Sequence, residues 1–176
     1  HDFARRLDSR QRYDAFLQWE ADRQLADAVS AAHAAGMRIG IFLDLALGVP
    51  YRSADGWAEQ GTMIPAFHIG APPDQWNDSG QDWGLAAENP LRSGQDDHRT
   101  FRRVLAQNMR HAGALRIDHV LGLNRLFLVP AGGMPADGAY LRYPAEELCG
   151  VVAEESVTRE CLVVGEDLGT VPGGFQ

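Results

Sequence analysis

Three short apolar runs, each halted by an acidic residue and each preceded by a helical pattern, constrain this chain more than any other feature. The first run is Ile39-Gly40-Ile41-Phe42-Leu43, stopping at Asp44. The second is Leu115-Arg116-Ile117, stopping at Asp118, and the third is Leu162-Val163-Val164-Gly165, stopping at Glu166. Dense apolar runs of this kind suit strands covered on both faces, as in parallel sheets. They predict strands over 37–46, 114–120 and 161–165. Tyr13, Phe16, Leu17, Leu25, Val29 and Ala32 recur at helical spacing within 9–35, with Gly36 as a stop. Phe101, Val104, Leu105, Asn108 and Met109 mark a second helix, closed by Gly113. Pro144 opens a third, with Leu148, Val151 and Val152 on its buried face. Such alternation implies parallel strands with helical crossovers, in either a doubly wound sheet or part of a (β/α)8 barrel.

In parallel α/β folds the strand C-termini point to one end, and that end carries the active site. A lone acid after a strand is commonly the N-cap of the next helix. Asp118 carries more information, because Arg116 and His119 stand beside it. With a period of two, Arg116 and Asp118 share a strand face. A buried arginine there favours the ionised carboxylate, the state a nucleophile needs. Glu166 is followed by Asp167. Leu162, Val164 and Glu166 share one face, and Val163, Gly165 and Asp167 the other. Glu166 is therefore the expected acid/base, with Asp167 as a supporting or sugar-binding group. Gly165 is expected to leave room for a ligand or a neighbouring strand.

The stretch 47–96 is rich in Gly, Pro, Asp, Asn and Trp and shows no sustained period. It is predicted to be a long functional loop, since Trp57, Trp76 and Trp83 argue against disorder. A second loop is expected around Pro130, Gly132, Gly133 and Pro135.

The net charge of −8, the absence of lysine and the scattered arginines exclude a phosphate-binding surface, so no nucleic-acid partner is expected. No apolar run approaches the ~20 residues needed to span a bilayer, so no membrane partner is expected. Cys149 and Cys161 lack metal-ligand spacing and read as free thiols of a reducing, cytoplasmic compartment. Asp74, Asn77, Asp78 and Asp82 do not fit calcium-loop spacing, and His33, His68, His98 and His111 form no metal-ligand pair, so no metal or cofactor is expected. Gly132-Gly133 is flanked by prolines and opens no helix, which argues against a nucleotide-binding doubly wound domain.

The runs "LRIDHVLGLNRLFLVP" (115–130) and "VVGEDLGTVP" (163–172) resemble two signature regions of 4-α-glucanotransferases, the amylomaltase family of the α-amylase clan. "PPDQWNDSGQDWGL" (72–85) resembles that family's glycan-binding loop, and "IGIFLDLALGV" (39–49) is similar to its third barrel strand. Four pieces in order over nearly the whole chain make a specific signal. The resemblance implies an α/β fold of the (β/α)8 TIM-barrel type, with these strands as the third to fifth. It implies that 1–176 is an internal fragment of the catalytic barrel, inactive alone, and that 47–96 binds substrate. Asp118 would be the nucleophile and Glu166 the general acid, then base. Arg116 would hold the nucleophile, His119 would line the site, and Asp44 would support it near the bound glucose. Gln81, Asp82 and Trp83 would contact the glucan. A third acid of the family follows a later strand and is expected beyond Gln176. The implied activity is cofactor-free transfer of α-1,4-glucan segments between maltooligosaccharides by a retaining double displacement. A hydrolase or debranching relative of the same clan is the alternative. A non-catalytic glucan-binding module is a second, which the intact acid pair opposes.

Overall fold

Helix-forming residues and charge spacing hold the first element together. In the computed structural model, which describes residues 7–175, α1 spans Asp8–Ala34. Ion pairs one turn apart join Arg10 to Asp14, Arg12 to Asp8 and Arg23 to Asp27. The helix is where its period predicts, yet none of its residues is buried. Tyr13, Phe16 and Leu17 are 52%, 52% and 43% exposed. Periodicity identifies the helix and its apolar stripe but says nothing of what covers the stripe.

The chain continues through β1 (Phe42–Leu45), α2 (Ala54–Ala58), β2 (Met63–Ala71), β3 (Gln81–Glu88), α3 (Pro90–Gln95), α4 (Arg99–Met109) and β4 (Ala114–Ile117). A 3₁₀ turn at Val120–Leu123 leads into β5 (Arg125–Pro130), and a second at Pro135–Asp137 into β6 (Ala139–Arg142). The last elements are α5 (Ala145–Thr158) and β7 (Leu162–Gly165). Among the described residues the fold is mixed α/β, with two sheets.

The three acid-ended runs are strands, and they lie side by side. They form a parallel sheet of order β1-β4-β7, in which Leu43 stands level with Leu115 and Leu115 with Val163. Leu43, Leu45, Leu115, Ile117 and Val163 pack against Leu105 and Met109 of α4 and Val151 of α5. Leu105 and Leu115 are completely buried, a burial worth roughly 1.5–3 kcal/mol for each such side chain. Among the described residues, only this face is covered. The alternate residues Phe42, Leu162 and Val164 are 57%, 59% and 51% exposed, so the expected cover on both faces is found on one.

The prediction of an irregular 47–96 is overturned. That segment contains α2, β2, β3 and α3. β2 and β3 join β5 and β6, which flank the expected loop around Pro130 to Pro135, in an antiparallel sheet of order β3-β2-β5-β6. Pro65 inside β2 and a bulge before Gly70 interrupt the alternation that would reveal the strands. The sheet has its own core of Ile69, Ala87, Leu126 and Leu128. It is tied to the exit of β1 by the Ala86 amide, which donates to Val49 O at 2.9 Å, and by pairing of Pro50 with Leu85. That tie holds the antiparallel sheet beside the C-terminal ends of β1, β4 and β7.

Candidate active site

Register decides which acids meet. Ile117 is level with Gly165, so Asp118 and Glu166 are the next residues on neighbouring strands. The Glu166 amide continues the ladder, donating to Ile117 O at 3.0 Å, and the Asp118 amide donates to Leu45 O at 3.0 Å. Asp44 lies level with Arg116, one strand over. Alternation therefore puts Asp44, Arg116, Asp118 and Glu166 on the face away from the helices.

Arg116 links two of these acids. Its Nη1 donates to both oxygens of Asp44 (2.8 and 2.7 Å), and its Nη2 pairs with Oδ1 of Asp118 at 2.8 Å. Its hydrogen bonds to the Asp44 carboxylate, and after them the one to Asp118, push the guanidinium pKa up against the effect of partial burial. The expected buried arginine is in fact 30% exposed, with Asp118 44% exposed. The bridge fixes the Asp118 carboxylate by a charge-assisted bond from one side and leaves its Oδ2 outside that pair.

Glu166 is held by backbone instead. Its Oε2 accepts from the His119 amide at 2.8 Å, and its Oε1 from the Leu168 amide at 2.6 Å. His119 adopts a left-handed conformation (φ 49°), one that histidine tolerates better than most residues. This turn carries the chain from Asp118 across to β7, where the Val120 amide donates to Glu166 O at 2.8 Å. The space at Gly165 is taken by Val120, whose side-chain carbons would stand 2.9 Å from a Cβ there. The glycine thus makes room for the turn, where a ligand or strand was expected.

Trp83 reaches this cluster from β3. Its ring meets that of His119 edge-on, with centroids 5.8 Å apart and planes at 80°. Its Nε1–H donates to Gln81 Oε1 at 2.9 Å, so the indole N–H is held by a side chain of its own strand. Trp57 and Trp76 are 72% and 87% exposed, so most of each ring faces solvent. Asp82 turns to His68, whose Nδ1 lies 3.0 Å from Oδ2. Burial works to raise the Asp82 carboxyl, but hydrogen bonds from His68 and Gly84 outweigh it and hold it below the usual carboxylate range. Asp167 lines a groove with Ile117, Val163 and Gly165 on the helix side of the sheet, away from the acid face.

The structure thus brings Asp44, Arg116, Asp118, His119, Glu166 and Trp83 together, with Gln81 behind Trp83. Asp82 and Asp167 stand outside the cluster. His68 as a partner of Asp82 is not legible in the sequence, because Pro65 and the bulge hide the alternation of β2. The His119 and Leu168 amides that hold Glu166 are not legible either, since backbone donors carry no residue signature. A second constellation, Ser93 Oγ to His98 Nδ1 and His98 Nε2 to Glu147 Oε2, both 3.0 Å, has the atoms of a nucleophile chain. Ser93 and His98 are each only 3% exposed, which closes it to substrate. Asp74 accepts the Trp76 and Asn77 amides at 2.7 Å in a turn. Among the described residues no cluster of three His, Cys, Asp or Glu could hold a metal ion, and no helix is long and apolar enough to cross a membrane.

An arginine-braced acid and a backbone-held acid ending adjacent parallel strands, with an aromatic ring beside them, define a mixed α/β protein with a two-carboxylate site. Comparison with known proteins makes the class specific. The family model described as 4-alpha-glucanotransferase matches residues 1–176, and the chain belongs to that family. A 4-alpha-glucanotransferase of Mycobacterium tuberculosis is 46% identical over 159 residues, covering 90% of this chain and 22% of the relative. One from Haemophilus influenzae is 44% identical over 158 residues, covering 90% and 23%. The crystal structure of amylomaltase from Corynebacterium glutamicum superposes with a TM-score of 0.87 at 42% identity, over 90% of this chain and 22% of that one. The chain therefore spans under a quarter of these relatives. Amylomaltase from Streptococcus agalactiae, solved with acarbose, shares the fold at 21% identity with a TM-score of 0.87.

Proposed function

We propose that this chain is the part of a (β/α)8 barrel that carries the acid pair of a 4-α-glucanotransferase, with β1, β4 and β7 as barrel strands three to five. The observation that carries the reading is the level placement of Asp118 and Glu166 on neighbouring parallel strands. Adjacent strands lie ~4.8 Å apart, and retaining enzymes hold their two carboxyl groups ~5–5.5 Å apart.

In the first displacement an oxygen of Asp118 attacks the anomeric carbon. The bond from that carbon to the bridging oxygen breaks, and Glu166 delivers its proton to that oxygen. A glucosyl ester on Asp118 and a shortened glucan result. In the second, the 4-hydroxyl of an acceptor glucan gives its proton to Glu166 and attacks the same carbon, which releases Asp118. Two inversions retain the configuration, and no cofactor takes part. Arg116 keeps the Asp118 carboxylate oriented, with Asp44 fixing Arg116 from its other side. Each oxygen of Glu166 accepts one amide and has a lone pair left for the proton it must carry. Trp83 presents an apolar face of the kind that stacks on a sugar ring.

Transfer conserves the number of reducing ends, whereas hydrolysis adds one for every bond broken. We expect the full-length protein carrying this segment to turn maltotriose into a ladder of longer and shorter maltooligosaccharides with total reducing ends constant. Reducing ends rising in step with product would assign it to a hydrolase or debranching activity instead.

A further inference from the structure

The tryptophan of the site stands on a bulge shaped by groups outside the acid cluster. β2 and β3 pair through Ile69 with Leu85 and next through Gly70 with Asp82. Trp83 and Gly84 lie between those partners on β3 and have no opposite residues on β2, so the strand bends there. Gly84 supplies a left-handed turn (φ +66°), which glycine adopts without cost. Gly70 lets the Gln81 carbonyl approach so closely that a Cβ at position 70 would run into it. Asp82 closes the bulge from within, its Oδ1 accepting the Gly84 amide at 2.8 Å. Its Oδ2 is the oxygen that meets His68 Nδ1 at 3.0 Å. His68 and Gly70 share a face of β2, and Asp82 is opposite Gly70, so the imidazole reaches Asp82 along the diagonal between strands. What the bulge presents is Trp83, edge-on to the ring of His119, the residue that follows Asp118.

We propose that His68 is a positioning residue for glucan binding: through Asp82 it holds the bulge in the shape that sets Trp83 beside the acid pair. This rests on the reading of that pair as the glucan site. A pair that only pins two strands together would affect stability and all substrates alike. A pair that positions Trp83 acts through that ring and loses its effect once the ring is gone.

The test uses the full-length protein, labelled with 5-fluorotryptophan, with the Trp83 fluorine resonance identified by its loss in Trp83→Phe. The Trp83 signal is expected to shift in His68→Ala and to return in His68→Asn, whose amide nitrogen replaces Nδ1. With maltotriose, His68→Ala should lower kcat/KM about tenfold, chiefly through KM and with kcat within about twofold, the pattern of lost ground-state and transition-state binding alike. His68→Asn should recover most of that loss. His68→Ala combined with Trp83→Ala should be no worse than Trp83→Ala alone. An unmoved Trp83 resonance in His68→Ala, or losses that multiply in the double variant, would overturn the proposal. A wild-type protein that fails to redistribute maltotriose would refute the glucanotransferase reading instead, and the fluorine shift would still decide whether the clamp exists.

Discussion

Asp118→Asn in the full-length protein is expected to lose essentially all transfer activity, on the order of 10⁴-fold or more, as removal of an attacking group usually does. The replacement is isosteric, and its oxygen can still accept from Arg116 Nη2. Arg116 also keeps both bonds to Asp44. The cluster therefore stays assembled, and stability and glucan affinity should change little. What disappears is the charged oxygen that forms the ester. Loss of activity with glucan binding retained is the expected pattern. Loss of both, with a lowered unfolding midpoint, would mean that Asp118 serves the fold.

Glu166→Gln is expected to cost ~10²–10⁴-fold with maltooligosaccharides, the usual contribution of general acid catalysis. The substitution also disturbs structure, because Glu166 accepts two backbone amides. A glutamine offers one carbonyl oxygen and turns an NH2 toward the other donor, leaving an amide of His119 or Leu168 without its partner. That disturbance weighs on every substrate equally. A donor whose leaving group departs without a proton, such as α-glucosyl fluoride, should regain most of the lost rate in forming the intermediate. Equal losses with both donors would make Glu166 a clamp for the two loops it touches rather than the acid.

The parallel sheet was legible in the sequence because its chemistry is local. An apolar run ending in an acid announces both a strand and the end that matters, and β1, β4 and β7 lie where those runs predict, if shorter. The pairing of Arg116 with Asp118 followed from alternation alone. The second sheet was not legible. Pro65, Gly70 and Gly84 occupy positions where the strands bend or approach closely, and those residues make a strand read as loop. The same irregularity delivers Trp83 to the site, so the segment hardest to read is the one that completes the cluster. The hold on Glu166 comes from backbone amides, and the exposure of Tyr13 and Phe16 depends on packing partners. Neither quantity is written in the local pattern of residues.

In the proposed mechanism Asp118 forms a covalent bond to the glucosyl unit. A 5-fluoro-α-glucosyl fluoride reacts at the first step and turns over slowly at the second, so it should accumulate the ester on the full-length protein. Peptide mapping by mass spectrometry is expected to find one fluoroglucosyl group per chain on the peptide containing Asp118, and none in Asp118→Asn. Label on Asp44, on Glu166 or on any other carboxylate, or no covalent adduct while the enzyme turns over maltotriose, would contradict the account.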